Sequence, residues 1–476
     1  MSRDAADLAE AVDPETPETE EDLEDLALGE DYALNPEFVD MVVDAADRGA
    51  AERLRELLGA LHPADVADLM GFLSAEYREE VLAHLDPEAL AEILSELDTE
   101  IREEVLETVA PATLAKALGE LDSDDAADVV DDLEADKRAQ VLAAMPEVER
   151  AAIETSLAYG DETAGRLMQR EVVAAPQFWT VGQAIDHFRR EGDDLPELFF
   201  DIYVVDPTYK PVGAAPVSHL LRSRRDVPLA QIMEPVTEIP VGMDQEEVAY
   251  IFDKYHLISA PVVDVAGRLV GQITVDDIVG VIHEESEEDI LALAGVSDAG
   301  RNADILDMVR SRLPWLLINT VTAAASASVI RAFEGEIAKL VTLAMLMPIV
   351  ASLGGSAGTQ TLAVAVRALA NRELSAYNAV RTVSREVLVG VLNGLALALI
   401  TGLAILFIFH DARLSITFGA ALVANFFMAG LAGALVPLAL DRMGRDPAVS
   451  SAVFVTFTTD FTGFFSFLGL AALILL

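Results

Sequence analysis

Residues 387–409 read VLVGVLNGLALALITGLAILFIF, an uncharged run that decides the architecture of the C-terminal third of the chain. About 20 apolar residues are enough for a helix to cross the hydrocarbon core of a bilayer. Further runs of this kind are Leu313 to Ile330, Leu340 to Val366, Leu414 to Leu440 and Pro447 to Leu476, the last interrupted by one charge. A buried soluble helix can imitate one such run but not five in succession. The sequence therefore predicts an all-α, five-helix transmembrane domain over residues 313–476.

The charge of the chain is divided as sharply as its hydropathy. The 476 residues carry a formal net charge of -49, and all but eight of the 81 acidic residues precede residue 311. This acidity excludes a nucleic-acid partner bound through a basic surface, and the absence of cysteine excludes disulfides and thiolate metal sites. Six arginines in the loops on the side of the acidic part, against three basic residues opposite, agree with the positive-inside rule. We expect a multi-pass protein of the cell (plasma or inner) membrane with cytosolic N-terminal domains.

The acidic part begins with a tail and a helical repeat. Residues 1–35 are rich in acids and poor in aromatics, which predicts a disordered acidic tail. Pro63, Pro87 and Pro111 then recur every 24 residues within a helical hydrophobic periodicity, and proline suits the first turn of a helix. Residues 36–160 are therefore predicted to form an all-α superhelix of stacked helix pairs.

A second repeat covers residues 161–283 and mixes strands with helices. The segment Tyr203-Val204-Val205-Asp206 is repeated as Pro261-Val262-Val263-Asp264. Each short β-branched strand is followed by a helical segment. The pattern resembles a tandem CBS pair of α/β fold, with a well-matched second copy and a degenerate first copy. The resemblance implies a possible ATP site.

An acidic segment, residues 284–312, connects this pair to the first membrane run. Glu285, Glu288 and Asp289 are spaced i, i+3, i+4 and share one helix face. Taken alone, an acidic helix face of this kind is most simply interpreted as exposed to water. Its position between a regulatory pair and the membrane domain favours a role in sensing. Candidate partners on the same side of the membrane are Glu246, Asp276 and Asp277.

One acidic side chain lies deep inside a membrane run. Asp460 would cost roughly 2.5 to 3.5 kcal/mol to place there without compensation. Thr456 and Thr459 share its helical face and supply hydroxyls, so the three residues predict an oxygen-rich cation site. The alternative is an aspartate hydrogen-bonded to a neighbouring helix.

The second run contains Pro348 followed by clustered small residues. Such residues can break a helix and free its carbonyls where the backbone lines a wet cavity, which predicts part of an ion pathway. Close helix packing by small residues is the alternative. The candidate pathway residues are Gly354, Gly355, Ser356, Gly358 and Thr359.

The order of helical repeat, CBS pair, acidic connecting helix and five spans resembles the MgtE family of magnesium channels and transporters. The most specific matches are Pro348 to Gln360 and Asp446 through Gly463. The resemblance implies a homodimer that encloses the pore, with hydrated Mg²⁺ at the aspartate matching Asp460. It also implies regulatory Mg²⁺ ligands at Glu246, Asp276, Asp277, Glu285, Glu288 and Asp289.

Four positions depart from the family pattern. Ser356 and Thr359 stand where the family usually has Asn, although both still offer oxygen. His256 and Gly280 replace expected carboxylates, which predicts fewer or weaker regulatory sites.

These observations predict a magnesium uptake channel or transporter gated by cytosolic Mg²⁺ bound between acidic cytosolic domains. Its partners are membrane lipid and a second copy of the chain. The alternatives are a transporter of another divalent cation, such as Co²⁺ or Mn²⁺, with nucleotide sensing, and a non-transporting receptor. An anion pathway is disfavoured because the one charge deep in a span is negative. The sequence shows no nucleophile–base pair and no phosphate loop, so we expect no enzyme.

Overall fold

The computed structural model describes residues 23, 26–29, 32–192, 195–196, 198–296, 305–370, 372–374 and 378–475. The chain divides into two compact units, residues 1–281 and 282–476. The predicted combination of a helical domain, an α/β pair and five membrane helices is confirmed.

Short helices fill residues 36–156 of the first unit. Each proline of the 24-residue repeat stands at the first position of a helix, where the lost N–H has no intrahelical partner. The helices are α1 (Pro36–Asp47), α2 (Ala51–Gly59), α3 (Pro63–Phe72), α4 (Ala75–Leu82), α5 (Pro87–Glu96), α6 (Thr99–Thr108), α7 (Pro111–Ala117), α8 (Ser123–Asp131), α9 (Ala135–Ala144) and α10 (Glu147–Ser156).

The stacked repeats share one hydrophobic core and are joined by equivalent polar contacts. Arg78 in one repeat pairs with Glu104 in the next, and Arg102 donates from Nε to Asp132 at 2.6 Å. Arg78 and Arg102 are themselves 24 residues apart, so the same side chain links successive units. This regular linkage is typical of a solenoid.

The disordered tail predicted for residues 1–35 is too long, because part of this range is folded. Leu23 and Ala27 are 4% and 1% exposed and belong to the core of the helical domain. Their i, i+4 spacing forms a small apolar stripe that the high local acid content conceals. Residues 1–22 lie outside the described residues.

Two three-stranded sheets of identical topology follow. The first has the order β1-β2-β3 and the second β4-β5-β6, each with one parallel and one antiparallel pairing. Both sheets carry a register shift at the equivalent position, Val204/Val205 and Val262/Val263, so the degenerate first copy keeps the fold of the second. The elements are α11 (Ala164–Leu167), β1 (Ala174–Pro176), α12 (Val181–Phe188), β2 (Asp201–Val205), β3 (Pro211–Pro216), α13 (Val217–Arg222), β4 (Ile239–Pro240), α14 (Gln245–Tyr255), β5 (Ser259–Val263) and β6 (Leu269–Thr274).

The last helix of the pair and the acidic connecting segment form one helix, α15 (Val275–Leu293). Its first two turns, residues 275–281, belong to the first unit, and the remainder from Ile282 belongs to the second. Near its C-terminal end, Ala292 packs against Leu362 and Ala448 of the second unit. Residues 297–304 of the predicted connecting segment lie outside the described residues.

Five helices of the second unit are long and apolar enough to cross a membrane, as predicted. A short helix, α17, joins the first two. The helices are α16 (Ile305–Ala332), α17 (Glu334–Lys339), α18 (Thr342–Ala370), α19 (Ala379–Phe409), α20 (Ala412–Arg442) and α21 (Pro447–Ile474).

The prediction that proline and glycine break the second membrane helix is wrong. α18 runs without interruption from Thr342 to Ala370 and contains Pro348. The glycines instead permit close approach: a Cβ on Gly358 would lie 2.7 Å from Val455 Cγ1, and one on Gly433 would lie 2.8 Å from the Gly358 carbonyl oxygen. Small residues at helix crossings are the usual device for packing membrane helices.

Candidate ion pathway and cytosolic carboxylates

Asp460 occupies the middle of α21 and is half-buried. Within the described part of the chain, its carboxylate has no hydrogen-bond or ion-pair partner. The alternative of an aspartate satisfied by a neighbouring helix is therefore disfavoured. Thr456, one turn earlier, is exposed, so the two residues give α21 a short polar face.

The helix α18, which packs against α21, also carries a polar stripe. Ser352, Ser356, Thr359 and Gln360 are all exposed in the single chain. Ser356 donates to the Ser352 carbonyl and Thr359 to the Gly355 carbonyl, both at 3.1 Å, so their lone pairs point away from the helix backbone. A polar stripe facing lipid tails is unfavourable, whereas a stripe facing water or another chain is not.

Three of the predicted pathway residues do not lie on this exposed surface. Thr459 is fully buried and donates its hydroxyl to the Val455 and Thr456 carbonyls at 3.1 and 3.0 Å. Gly354 and Gly358 are buried at helix crossings. These residues set the separation of α18 and α21, and the exposed surface is left to their neighbours.

A buried amide that the sequence analysis did not single out also contacts these helices. Asn425 of α20 is 0% exposed and donates from Nδ2 to the Val350 carbonyl at 2.9 Å. A Cβ on Gly354 would lie 2.0 Å from that nitrogen, and one on Gly463 would lie 2.8 Å from it. Asn425 thus touches both helices of the polar face, 71 residues from Gly354 in sequence.

In the first unit, α15 opens with the predicted Asp276 and Asp277. Asp277 accepts from the Thr274 hydroxyl at 2.7 Å and from the Thr274 N–H at 3.3 Å. Burial, offset in part by these bonds, raises the pKa of Asp277 to about 6. The charges of Asp276 and Asp122 act in the same direction as burial.

The partners of this first turn come from α8, which the sequence analysis did not single out. Asp124 is 7% exposed, and its Oδ1 has no hydrogen-bond partner among the described residues. Burial and then the charge of Asp277 raise its pKa well above the usual range. The same two causes raise the pKa of Asp125 to about 7. The sequence contains one sign of this contact, because Asp124 lies on the apolar face of α8, one turn before the buried Ala127.

One arginine stabilises this acidic contact. Arg166 of α11 is 8% exposed, and its Nη2 lies 3.2 Å from Asp128 Oδ1 and 3.1 Å from Asp131 Oδ2. It therefore fixes α8 against α11, which packs in the core of the second sheet. Among the described residues, no Lys or Arg pairs with Asp124 or Asp125.

The remaining predicted regulatory residues are dispersed. Glu246 lies in the first turn of α14 and is exposed. On α15, Glu285 and Asp289 are half-buried on one face, whereas Glu288 is exposed. Burial, then the charges of Asp446 and Glu285, raise the pKa of Asp289. Among the described residues, no three Asp, Glu or His side chains converge as a ready-made metal site.

Five membrane-length helices with a carboxylate on a polar face, preceded by an acidic sheet-and-helix unit, define the class of multi-pass cation transport proteins. Residues 347–470 match the family of divalent cation transporters called MgtE, residues 61–162 match the MgtE intracellular N domain, and residues 229–284 match the CBS domain. The magnesium transporter MgtE of Thermus thermophilus is 35% identical over 334 residues, covering 68% of this chain and 73% of that protein. The chain belongs to the MgtE family, a multi-pass membrane family with cytosolic N-terminal domains.

Other relatives agree with this membership. The magnesium transporter MgtE of Enterococcus faecalis is 34% identical over 330 residues, covering 68% of this chain and 72% of that protein. A solved cytosolic domain of the Mg²⁺ channel MgtE in complex with ATP is 34% identical, covers 51% of this chain and 99% of that chain, and has a TM-score of 0.49. Both curated relatives are named as magnesium transporters.

Proposed function

We propose that this chain conducts Mg²⁺ across the membrane through a pore lined by Thr456, Asp460 and the polar stripe of α18. The observation that carries the proposal is the unpartnered carboxylate of Asp460 beside exposed hydroxyls. Such a surface is stable in a bilayer only where water or a second polar surface covers it. A second copy related by a two-fold axis supplies both, because it brings another Asp460 to the axis.

This arrangement suits a hydrated ion. Mg²⁺ gives up water reluctantly and is commonly held by one or two carboxylates together with waters. Two aspartates across an axis attract the ion, and the hydroxyls of Ser356 and Thr359 accept hydrogen bonds from its water shell. A site of only two carboxylates also releases the ion, which conduction requires.

Regulation follows from the cytosolic carboxylates. Asp124 is buried and Asp125 and Asp277 are half-buried close to it, and among the described residues none of the three pairs with Lys or Arg, so they repel one another when ionised. Cytosolic Mg²⁺ bridging α8 and the first turn of α15 reverses the sign of that interaction. Within the second unit, Asp289 near Asp446 offers a further place for a cation. We assign the sensing role to these carboxylates together with Glu246, Asp276, Glu285 and Glu288.

The experiment is Mg²⁺ flux into liposomes that hold the full chain and a fluorescent indicator. Flux should be inhibited when Mg²⁺ is raised on the side of the N-terminal domains, and Asp124→Asn should weaken that inhibition. Flux that is insensitive to Mg²⁺ on that side contradicts the gating mechanism. Competition by Co²⁺ and Mn²⁺ in the same assay decides the alternative cations.

ATP is the first nucleotide to test at the CBS pair because the resemblance implies it. The cleft between the two sheets has a volume of about 620 Å³, which is within the range of ligand sites. Thermal stabilisation of the full chain in detergent by ATP would support nucleotide sensing, and its absence over a wide concentration range would exclude it.

A further inference from the structure

A buried amide in the membrane domain contacts two neighbouring helices close to Asp460. Asn425 of α20 donates from Nδ2 to the Val350 carbonyl of α18 at 2.9 Å. A Cβ built on Gly463 of α21, three residues after Asp460, would lie 2.8 Å from the same nitrogen. The amide therefore touches α18 and α21 together, within one helical turn of Asp460 along α21.

This contact is on the side of α18 that faces away from the polar stripe. Val350 and Gly354, the two residues of α18 that meet Asn425, are buried. Ser352 and Ser356 are exposed and follow them by two positions each, which places them about 200° further around the helix. A movement of the buried side of α18 at Asn425 therefore displaces the polar stripe as well.

The helix α18 has a weak point near this contact. Pro348 lies inside the helix and has no N–H, so the carbonyl four residues earlier receives no hydrogen bond from it. A proline inside a helix is a common cause of bending. Asn425 forms its bond two residues later, at Val350, and so fixes the course of α18 where the helix's own hydrogen bonds are incomplete.

The amide is not needed merely to fill space. Its Oδ1 has no hydrogen-bond partner among the described residues, although the side chain is fully buried. Burying a polar atom in this way is unfavourable, and an apolar side chain of similar size would avoid that cost. A residue that breaks this rule is typical of positions where function, rather than stability, decides the side chain.

From these contacts we infer that Asn425 is a positioning residue that gives the pore its preference for Mg²⁺ over Ca²⁺, by fixing α18 against α21. Mg²⁺ keeps a near-ideal octahedral water shell, whereas Ca²⁺ accepts about six to eight oxygen ligands in flexible geometry. The water shell of Mg²⁺ therefore requires Asp460 and the hydroxyls of α18 at a fixed separation, whereas Ca²⁺ tolerates a change in it. The inference rests on the proposed function, because it concerns the same pore.

The test is the ratio of Ca²⁺ flux to Mg²⁺ flux into liposomes that hold the full chain and an indicator for each ion. Asn425→Leu keeps the branching at Cγ and removes the donor to Val350, so it should raise this ratio at least about tenfold. Asn425→Ala removes the same donor without adding bulk at the crossing and should raise the ratio as well. A purely structural defect would lower both fluxes in proportion, and that outcome in both variants would overturn the inference.

Ser415→Ala is the matched control. Ser415 lies on the same helix and also donates from its side chain to a backbone carbonyl, that of Gly402 on α19, at 2.6 Å. This bond involves neither α18 nor α21, so its loss should leave the flux ratio within about twofold of the wild type. A wild-type ratio in both Asn425 variants, or an equal rise in Ser415→Ala, would contradict the inference.

Asp460→Asn in the same assay separates this inference from the proposed pore. Loss of Mg²⁺ flux in Asp460→Asn, together with an unchanged ratio in the Asn425 variants, would overturn the role of Asn425 and leave the pore assignment in place. Wild-type flux through Asp460→Asn would overturn both.

Discussion

Substitution of Gly354 by alanine should destabilise the membrane domain, whereas the same change at the next residue should not. A methyl group at Gly354 would lie 2.0 Å from Nδ2 and 2.6 Å from Cγ of Asn425. Asn425 is fully buried and bonded to Val350, so it has little freedom to move. A methyl group at Gly355 would meet only Thr459 Oγ1, at 3.9 Å.

The magnitude follows from two contributions. Forcing a methyl group into a packed crossing costs about 1–3 kcal/mol, and turning the amide away leaves a buried polar group unsatisfied at about 1–3 kcal/mol. The two costs add to about 2–6 kcal/mol, and a gain of up to about 1 kcal/mol from helix propensity leaves a loss of about 1–5 kcal/mol for Gly354→Ala. Gly355→Ala should gain up to about 1 kcal/mol from helix propensity.

The assay is unfolding of the full chain in mixed detergent micelles, with Mg²⁺ flux in liposomes as a second readout. Asn425→Ala removes the clashing side chain, so the double variant Gly354→Ala/Asn425→Ala should recover much of the stability lost by Gly354→Ala. Equal stability of the Gly354 and Gly355 variants would refute the packing role of this crossing. Absence of any recovery in the double variant would show that Asn425 is not the obstacle.

Three further outcomes are expected. The pKa values of Asp125 (about 7) and Asp277 (about 6) are raised in the fold, so the folded chain binds more protons than the unfolded chain. In Mg²⁺-free buffer, the protection of α8 amides from hydrogen exchange should therefore fall as pH rises from about 4 to about 7. Asp125→Asn should make this protection less dependent on pH. Arg166→Ala removes the buried partner of Asp128 and one of the two arginines that pair with Asp131. It should lower the free energy of unfolding of the first unit by about 1.5–3 kcal/mol, measured by denaturant titration of the full chain, with Arg48→Ala, which removes an exposed ion pair, as the control. The chain has no cysteine, so an introduced cysteine is the only one that can form a disulfide. Thr456→Cys should cross-link two copies under mild oxidation if this residue faces the dimer axis. Leu473→Cys is the control and should not cross-link, because Leu473 is 84% exposed at the far end of α21.

The sequence was sufficient where a physical constraint is local. The repeated prolines predicted the helix starts of the solenoid because proline is tolerated there and almost nowhere else in a helix. Uncharged runs predicted the five membrane helices for a similarly local reason. Asp460 was identifiable as a candidate site residue because its charge is unfavourable in the membrane wherever the neighbouring helices lie.

The sequence was insufficient where the decisive contact is distant. Whether Pro348 and the glycines break α18 or permit packing depends on what lies opposite, and that is Asn425, Val455 and Gly433 on other helices. The acidic contact of α8 with Asp277 brings together residues about 150 positions apart in the chain. Thr459 shares a helical face with Asp460 by spacing, yet its hydroxyl is buried among backbone carbonyls.

The most direct test of the central claim is Mg²⁺ flux through Asp460→Asn in liposomes. This change keeps the shape of the side chain and removes only its charge. Ser466→Ala on the same helix is the matched control, because in the described part of the chain the Ser466 hydroxyl donates only to the backbone carbonyls of Gly463 and Ala421. We expect Asp460→Asn to lower flux at least about tenfold while the control conducts like the wild type; wild-type flux through Asp460→Asn would contradict a pore built on this carboxylate.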